Sequence, residues 1–204
     1  VLMPGEEFSY NGVVGRRTAA RGFLPAPAYV GGETVQETGG GVCQGSSTVY
    51  LAALRSNLEI VERYPHGYIT RYVPDGMDAT VYYGAKDFRF RNNTPFPIQV
   101  VGSVSGRSLT VSILGTKSDN ITVEMTNQTV GTTGYKTVYK VDSSLPAGST
   151  RVSVTPYAGY TVKVYRNLYE NGKLKDTKLE STSVYRSRDK VVLVSPEDAA
   201  QYGL

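Results

Sequence analysis

Apolar positions recur at helical spacing in one stretch of this chain. From about Gln44 to Ser56, the residues Val49, Tyr50, Ala53 and Leu54 follow the three-to-four step that lines one face of a helix, and Asn57 supplies a stop. Elsewhere the pattern is that of strands. Residues 58–64, 68–73, 80–83 and 87–91 are short runs rich in β-branched and aromatic side chains. Pro74-Asp75-Gly76 and Asn92-Asn93-Thr94-Pro95 lie between or after these runs and carry turn chemistry. Residues 98–104 and 109–114 flank Ser105-Gly106-Arg107-Ser108, and Leu109, Val111 and Ile113 alternate with Thr110 and Ser112. That alternation predicts a hairpin with one buried face.

Before the helix, Gly5, Gly12, Gly15, Gly22, Gly31, Gly32 and the run Gly39-Gly40-Gly41 punctuate short segments as turns. After the hairpin, the polar run from Gly115 to Asn120 gives way to a Thr-, Val- and Tyr-rich sequence without helical period. Tyr160 to Tyr165 alternates strictly, Asn171-Gly172 marks a tight hairpin turn, and Val191 to Val194 reads as a last strand. The expected organisation is an α+β domain over residues 1–117, with one main helix after a Gly-rich turn and then antiparallel strands. An all-β, extended module over residues 118–204 follows it, with at most a helical turn near Pro196.

Composition narrows the class. The 204 residues are 40% hydrophobic and 20% charged, which is the balance of a folded domain. Sixteen Tyr against five Phe and no Trp favour thin β modules and glycan-facing surfaces, because a tyrosine ring is apolar while its hydroxyl stays wet. A net charge of +4 from 22 basic and 18 acidic residues is scattered rather than clustered, which argues against nucleic acid and leaves an anionic wall polymer as a partner. No run reaches the roughly 18 apolar residues of a membrane helix, so no insertion is expected within these residues. The opening Val1-Leu2-Met3-Pro4 reads as a start within a longer protein, with any export signal or anchor upstream.

The single cysteine excludes an internal disulfide, so Cys43 is either core or chemistry. It stands where the Gly39-Gly40-Gly41 turn runs into the helix. Unpaired amides and the positive end of the helix dipole there favour a thiolate. Gly40, Gly41, Gln44 and Ser46 are the candidate donors to an oxyanion or bound anion. His66, the one histidine, is the candidate base, and Asp75, Asp78, Asp87 or Asn92 could orient it. The plainer reading makes Cys43 a small core residue, and makes His66 and the aspartates turn residues. One Cys and one His supply no closed metal set, and no Lys-Ser/Thr follows the glycines as in a phosphate loop, so no cofactor is expected.

Five blocks carry a resemblance: Gly5 to Asn11, Gly39 to Ser47, Glu62 to His66, Tyr72 to Val81, and Asp87 to Asn93. In this order, and with Gly-Gly-Gly-Val-Cys-Gln intact, they resemble the VanW family over residues 4–115. The resemblance implies an exported protein of Gram-positive bacteria, from a family named for genes beside vancomycin-resistance clusters, with no firmly attached activity. Leu145 to Ser149, Val162 to Arg166, Tyr169 to Lys173 and Val184-Tyr185 are similar to a G5 domain over residues 120–196. That likeness implies an extended sheet module of surface proteins, associated with polymers containing N-acetylglucosamine. The chain departs from it with Ser195-Pro196 where a glycine is usual, and Gly159 stands for the middle glycine.

Two functions follow as expectations. In one, the protein is a cell-wall enzyme in which Cys43 attacks a peptidoglycan amide or peptide bond, His66 is the base and Asp78 or Asp87 orients it. This follows the order of transglutaminase-like and papain-like thiol enzymes by analogy of layout. In the other, the whole chain binds wall glycopolymer without catalysis.

Overall fold

A computed structural model describes residues 1–30 and 33–204; the turn expected at Gly31-Gly32 lies outside the described residues. The chain is α+β up to the expected boundary and all-β after it. β1 (Glu7–Ser9) leads into a short helix α1 (Tyr10–Val14), and β2 (Pro25–Val30) pairs antiparallel with β3 (Glu33–Thr38). The one long helix, α2 (Val42–Arg55), follows. It ends at Ser56, with Asn57 in the left-handed region at φ 56°, as a stop residue should be. β4 (Glu59–Glu62) and β5 (Arg89–Arg91) complete a three-stranded antiparallel sheet in the order β1-β5-β4. β6 (Ile98–Ser105) and β7 (Ser108–Gly115) form the expected hairpin, with Val100 opposite Ile113.

The later strands are β8 (Ile121–Thr133), β9 (Thr137–Val141), β10 (Thr150–Val154), β11 (Gly159–Glu170), β12 (Lys173–Tyr185) and β13 (Lys190–Val194). They make two sheets, β12-β11-β8 and β10-β13-β9, and β13 pairs parallel to β9. The β11–β12 turn is Asn171-Gly172, both with positive φ (51° and 77°), the backbone that a two-residue hairpin turn requires. A 3-10 turn at Ala199–Tyr202 is the only helical element after α2 among the described residues.

Two runs expected to be strands are not. Residues 68–73 are irregular, and residues 80–83 contribute only the isolated bridge between Tyr82 and Lys86. The reason is local. In this long loop the carbonyls of Gly76 and Asp78 accept from the Arg63 guanidinium, and the Tyr64 carbonyl accepts from the Thr80 amide. Side-chain and loop contacts thus satisfy backbone groups that a sheet ladder would otherwise have to satisfy. The buried face expected of the β6–β7 hairpin is only half covered, since Leu109, Val111 and Ile113 alternate with exposed neighbours but stay partly accessible.

The compact units are not two successive stretches of chain. One comprises Val1–His66, Thr70–Gln128 and Val162–Ser183; the other comprises Gly67–Ile69, Thr129–Thr161 and Val184–Leu204. In the first, α2 buries Val49, Tyr50, Ala53 and Leu54 with Leu58, Phe88, Phe90, Met77, Val162 and Val164. Sealing each large apolar side chain there contributes about 1.5–3 kcal/mol. Arg166 belongs to the same unit. It is buried, pairs with Glu180 at 2.9 Å, and donates to Asn57 Oδ1 and the Leu58 carbonyl. In the second unit, Val192, Val194 and Tyr185 are buried, and Tyr139 packs on Tyr202 with ring centroids 4.5 Å apart.

Candidate functional site

The glycine run places Cys43 at the second position of α2. Gly41 caps the helix at φ 86°, a backbone that favours glycine, and offers no side-chain cap. Gly40 lies so close to the Ala26 carbonyl that a Cβ there would sit 2.2 Å from its oxygen. Two serines on the next turn fix the helix against the loop after β4. Ser46 Oγ donates to the Ala79 carbonyl, while Ser47 Oγ accepts from the Ala79 amide at 2.9 Å and donates to the Cys43 carbonyl at 2.7 Å. Both serines are buried, so the register between Cys43 and Ala79 is tightly set. Cys43 Sγ itself lies 3.6 Å from the Val81 carbonyl.

That register brings His66 and Asp78 to the thiol. His66 Nδ1 is 2.6 Å from Asp78 Oδ2, and the same oxygen accepts the His66 amide at 2.7 Å. Asp78 is fully buried and also pairs with Arg63 at 3.1 Å. Arg63 is fixed in turn by the Asp78 and Gly76 carbonyls, by Ser183 Oγ at 2.8 Å and by the Tyr50 ring beneath it. With Nδ1 committed to Asp78, Nε2 is the ring nitrogen left for the Cys43 side chain, to which His66 is hydrogen-bonded. The Tyr72 hydroxyl lies 3.2 Å from the same Nε2.

The electrostatics favour an ion pair. Burial lowers the affinity of His66 for a proton, but its hydrogen bonds to Asp78 and Cys43 and the charges of both outweigh this and push its pKa up to about 9. Burial likewise raises the Cys43 thiol, yet it ends below its ordinary value. A carbonyl acceptor such as that of Val81 favours the neutral thiol, so the lowering comes from the His66 hydrogen bond and the positive charges of His66 and Arg17. Between the two midpoints the stable form is thiolate and imidazolium. Cys43 is half-buried and the His66 side chain is 18% exposed, so reagents can reach the pair from solvent.

Of the residues expected at the site, Cys43, His66 and Asp78 converge and others do not. Asp87 is a correction: its carboxylate accepts from Ser9 Oγ and from the Asn11 and Phe88 amides, so it fastens α1 to β5 and does not orient the imidazole. Asn92 is buried and holds the Leu2 and Phe96 carbonyls. The Asp75 carbonyl takes Asn127. Among the expected oxyanion donors, the Gly40 amide is committed to the Glu37 carbonyl and the Gln44 amide to that of Gly41. Gly41 serves as the cap, and Ser46 Oγ is committed to the Ala79 and Cys43 carbonyls. The amides of Gly41 and Cys43 have no main-chain acceptor among the described residues, and that of Cys43 lies in the first turn of α2, where helix amides lack intrahelical partners.

Arg63, Ser47 and Tyr72 were not foreseen as site residues. They stood inside or beside the sequence blocks that carry Cys43, His66 and Asp78, but only their contacts reveal their roles. A separate open groove of about 430 Å³ is lined by Tyr10, Gly40, Gln44 and Gly45 together with Arg107 and Leu109 of the hairpin; it includes neither Cys43 nor His66.

The sequence profile described as VanW like protein matches residues 1–114. The chain belongs to the VanW-like family. The G5 domain profile matches residues 121–196. Among curated relatives, the uncharacterized protein YoaR of Bacillus subtilis (strain 168) is 45% identical over 113 residues, covering 55% of this chain and 37% of YoaR. The vancomycin B-type resistance protein VanW of Enterococcus faecalis (strain ATCC 700802 / V583) is 23% identical over 137 residues, covering 64% of this chain and 49% of that protein. The chain therefore spans less than half the length of either relative. Two solved G5 structures are similar over its C-terminal part. HP0197-G5 is 24% identical, covering 36% of this chain and 96% of that one at a TM-score of 0.21. The IgA1 protease G5 domain is 16% identical, with coverages of 38% and 94% and a TM-score of 0.26. Among the described residues no helix is long and apolar enough to cross a membrane, and no three His, Cys, Asp or Glu side chains gather as a metal site.

Proposed function

We propose that this VanW-like protein is an extracellular, cell-wall-associated thiol enzyme that cleaves or transfers an amide bond of peptidoglycan. The observation that carries the reading is the line of three groups in which Asp78 holds His66 Nδ1 and His66 meets the Cys43 thiol. Nucleophile, base and orienter are thus in mutual reach, the arrangement that acyl transfer through a covalent intermediate requires. Cys43 as thiolate attacks the amide carbonyl. His66 gives its Nε2 proton to the leaving amine, and the acyl group rests on sulfur until water or a second amine takes it. Asp78 keeps the ring in the orientation and charge state that this needs, and Arg63 is paired with Asp78 inside the fold at 3.1 Å.

The wall as substrate is supported by the family, by the G5 match and by the vancomycin-resistance name of the Enterococcus relative. In this proposal residues 118–204 are the G5-like module that holds the protein on a glycopolymer containing N-acetylglucosamine. Deleting 118–204 is a poor test of that module, because Arg166 and Ser183 belong to the same compact unit as Cys43. The direct experiment is incubation of purified peptidoglycan with the wild-type chain and with Cys43→Ala, followed by analysis of released or newly crosslinked peptides. Loss of all product in Cys43→Ala, with binding retained, supports the enzyme. Equal products from both remove the thiol from the mechanism, and binding without products leaves a non-catalytic wall-binding protein.

A further inference from the structure

The Tyr72 side chain stands at the open edge of the Cys43–His66 pair. It is 38% exposed, its ring meets that of His66 edge-on with centroids 6.1 Å apart, and its hydroxyl oxygen lies 3.2 Å from Nε2. In the imidazolium form Nε2 carries a hydrogen, so the Tyr72 oxygen can only accept from it. The phenolic hydrogen is then directed away from the ring. At rest the hydroxyl also meets that of Ser47. Ser47 already has partners in the Cys43 carbonyl and the Ala79 amide, so losing Tyr72 would not leave it bare. A hydroxyl rotor can therefore turn toward a new acceptor at little cost.

An acceptor of that kind arises in acyl transfer. An oxyanion needs donors, and around the glycine run the Gly40 and Gln44 amides and the Ser46 hydroxyl are committed, while the amides of Gly41 and Cys43 have no main-chain acceptor among the described residues. We propose that Tyr72 is a catalytic residue whose hydroxyl donates to the oxyanion formed at Cys43, acting as the second donor beside the Cys43 amide. This rests on the acyl-transfer reading of Cys43. A lone pair of the thiolate forms the S–C bond while the carbonyl π pair moves onto oxygen, where the Tyr72 O–H and Cys43 N–H bind it without giving up their protons. The pair then returns to restore the carbonyl, the bond to the leaving group breaks, and a leaving amine takes the Nε2 proton of His66. Burial, chiefly, together with the Cys43 and Asp78 charges, raises the Tyr72 phenol above its ordinary value against the opposing Ser47 contact, so it remains a donor while Cys43 is ionised.

The test separates two reactions of one thiolate. Alkylation by iodoacetamide displaces iodide and forms no oxyanion, whereas acylation by p-nitrophenyl acetate passes through one. Tyr72→Phe in the full chain removes one oxygen and keeps the ring. It is expected to slow Cys43-dependent release of p-nitrophenolate by about 100-fold, the scale for one oxyanion donor. Alkylation should fall far less than acylation, because it forms no oxyanion for the hydroxyl to hold and costs the pair only the one contact to Nε2. Unchanged acylation overturns the role of Tyr72 and leaves the thiol mechanism standing. Parallel losses in both reactions also overturn it, since Tyr72 would then merely hold His66. Acylation equal in wild type and Cys43→Ala refutes the underlying thiol mechanism, and this proposal with it.

Discussion

Replacing Asp78 with Asn changes one oxygen to nitrogen at a fully buried position, and its consequences follow from the two partners it abandons. The first is His66. Lifting an imidazole from 6.5 to about 9 corresponds, at about 1.4 kcal/mol per tenfold change, to about 3 kcal/mol favouring the charged ring. Asp78 contributes both a hydrogen bond and a charge to that lift. In Asp78→Asn the imidazolium should lose most of this support, and the thiolate it stabilises should go with it. The rate of Cys43 alkylation at pH 6 is then expected to fall by up to about 100-fold, while rates above the ordinary cysteine midpoint converge with wild type. The second partner is Arg63, left buried at 7% exposure without its counter-charge, which costs about 3–5 kcal/mol in stability. The assay is iodoacetamide alkylation across pH, with urea unfolding alongside to confirm that the variant is folded under the assay conditions. A wild-type alkylation profile in a folded Asp78→Asn protein would refute the claim that this carboxylate sets the charge of the pair.

The other predictions concern neighbouring contacts. Asp87→Asn should leave the alkylation profile unchanged yet lower stability by about 1–3 kcal/mol, because its carboxylate accepts from Ser9 and Asn11 rather than from the ring; urea unfolding with alkylation separates the two effects. Ser47→Ala strands the Ala79 amide in the interior and should cost about 1–3 kcal/mol by the same measurement. Unfolding free energy against pH carries a further signature. The raised His66 contributes stability that is complete below about 6.5 and lost as pH rises through about 9. The lowered Cys43 contributes stability that is complete above about 8.5 and lost as pH falls through its folded midpoint. Above about 6.5 the proton that folded His66 retains is offset by the one that folded Cys43 has given up, so stability should decline less steeply with pH in wild type than in Cys43→Ala.

The helix was legible because four apolar residues at helical spacing agreed with a glycine run before them and an Asn stop after them. The β6–β7 hairpin and the Asn171-Gly172 turn were legible for the same reason, since local pattern and turn chemistry agreed. Residues 68–73 look like a strand because of Tyr68, Ile69, Tyr72 and Val73, while the contacts that shape the loop holding them run from Arg63 to the Gly76 and Asp78 carbonyls, which carry no signal in the hydrophobic pattern. The same gap explains the acids. Asp75, Asp78 and Asp87 are indistinguishable by spacing, and what separates them is that Asp78 is buried between His66 and Arg63 while Asp87 fastens α1. The glycine run announced a helix start but not which amides would be consumed in building it. A compact unit that draws residues 121–128 and 162–183 together with the first 66 residues also had no signature in the composition change near residue 117.

The chain has one histidine, so its imidazole gives a single set of ring resonances, and their shift with pH reads the charge of His66 directly. An NMR titration should find a midpoint near 9 in wild type, and a lower one in Cys43→Ala, where the thiolate partner is gone. A wild-type midpoint at or below about 6.5, unmoved by loss of the sulfur, would contradict the thiolate–imidazolium pair on which the proposed chemistry rests.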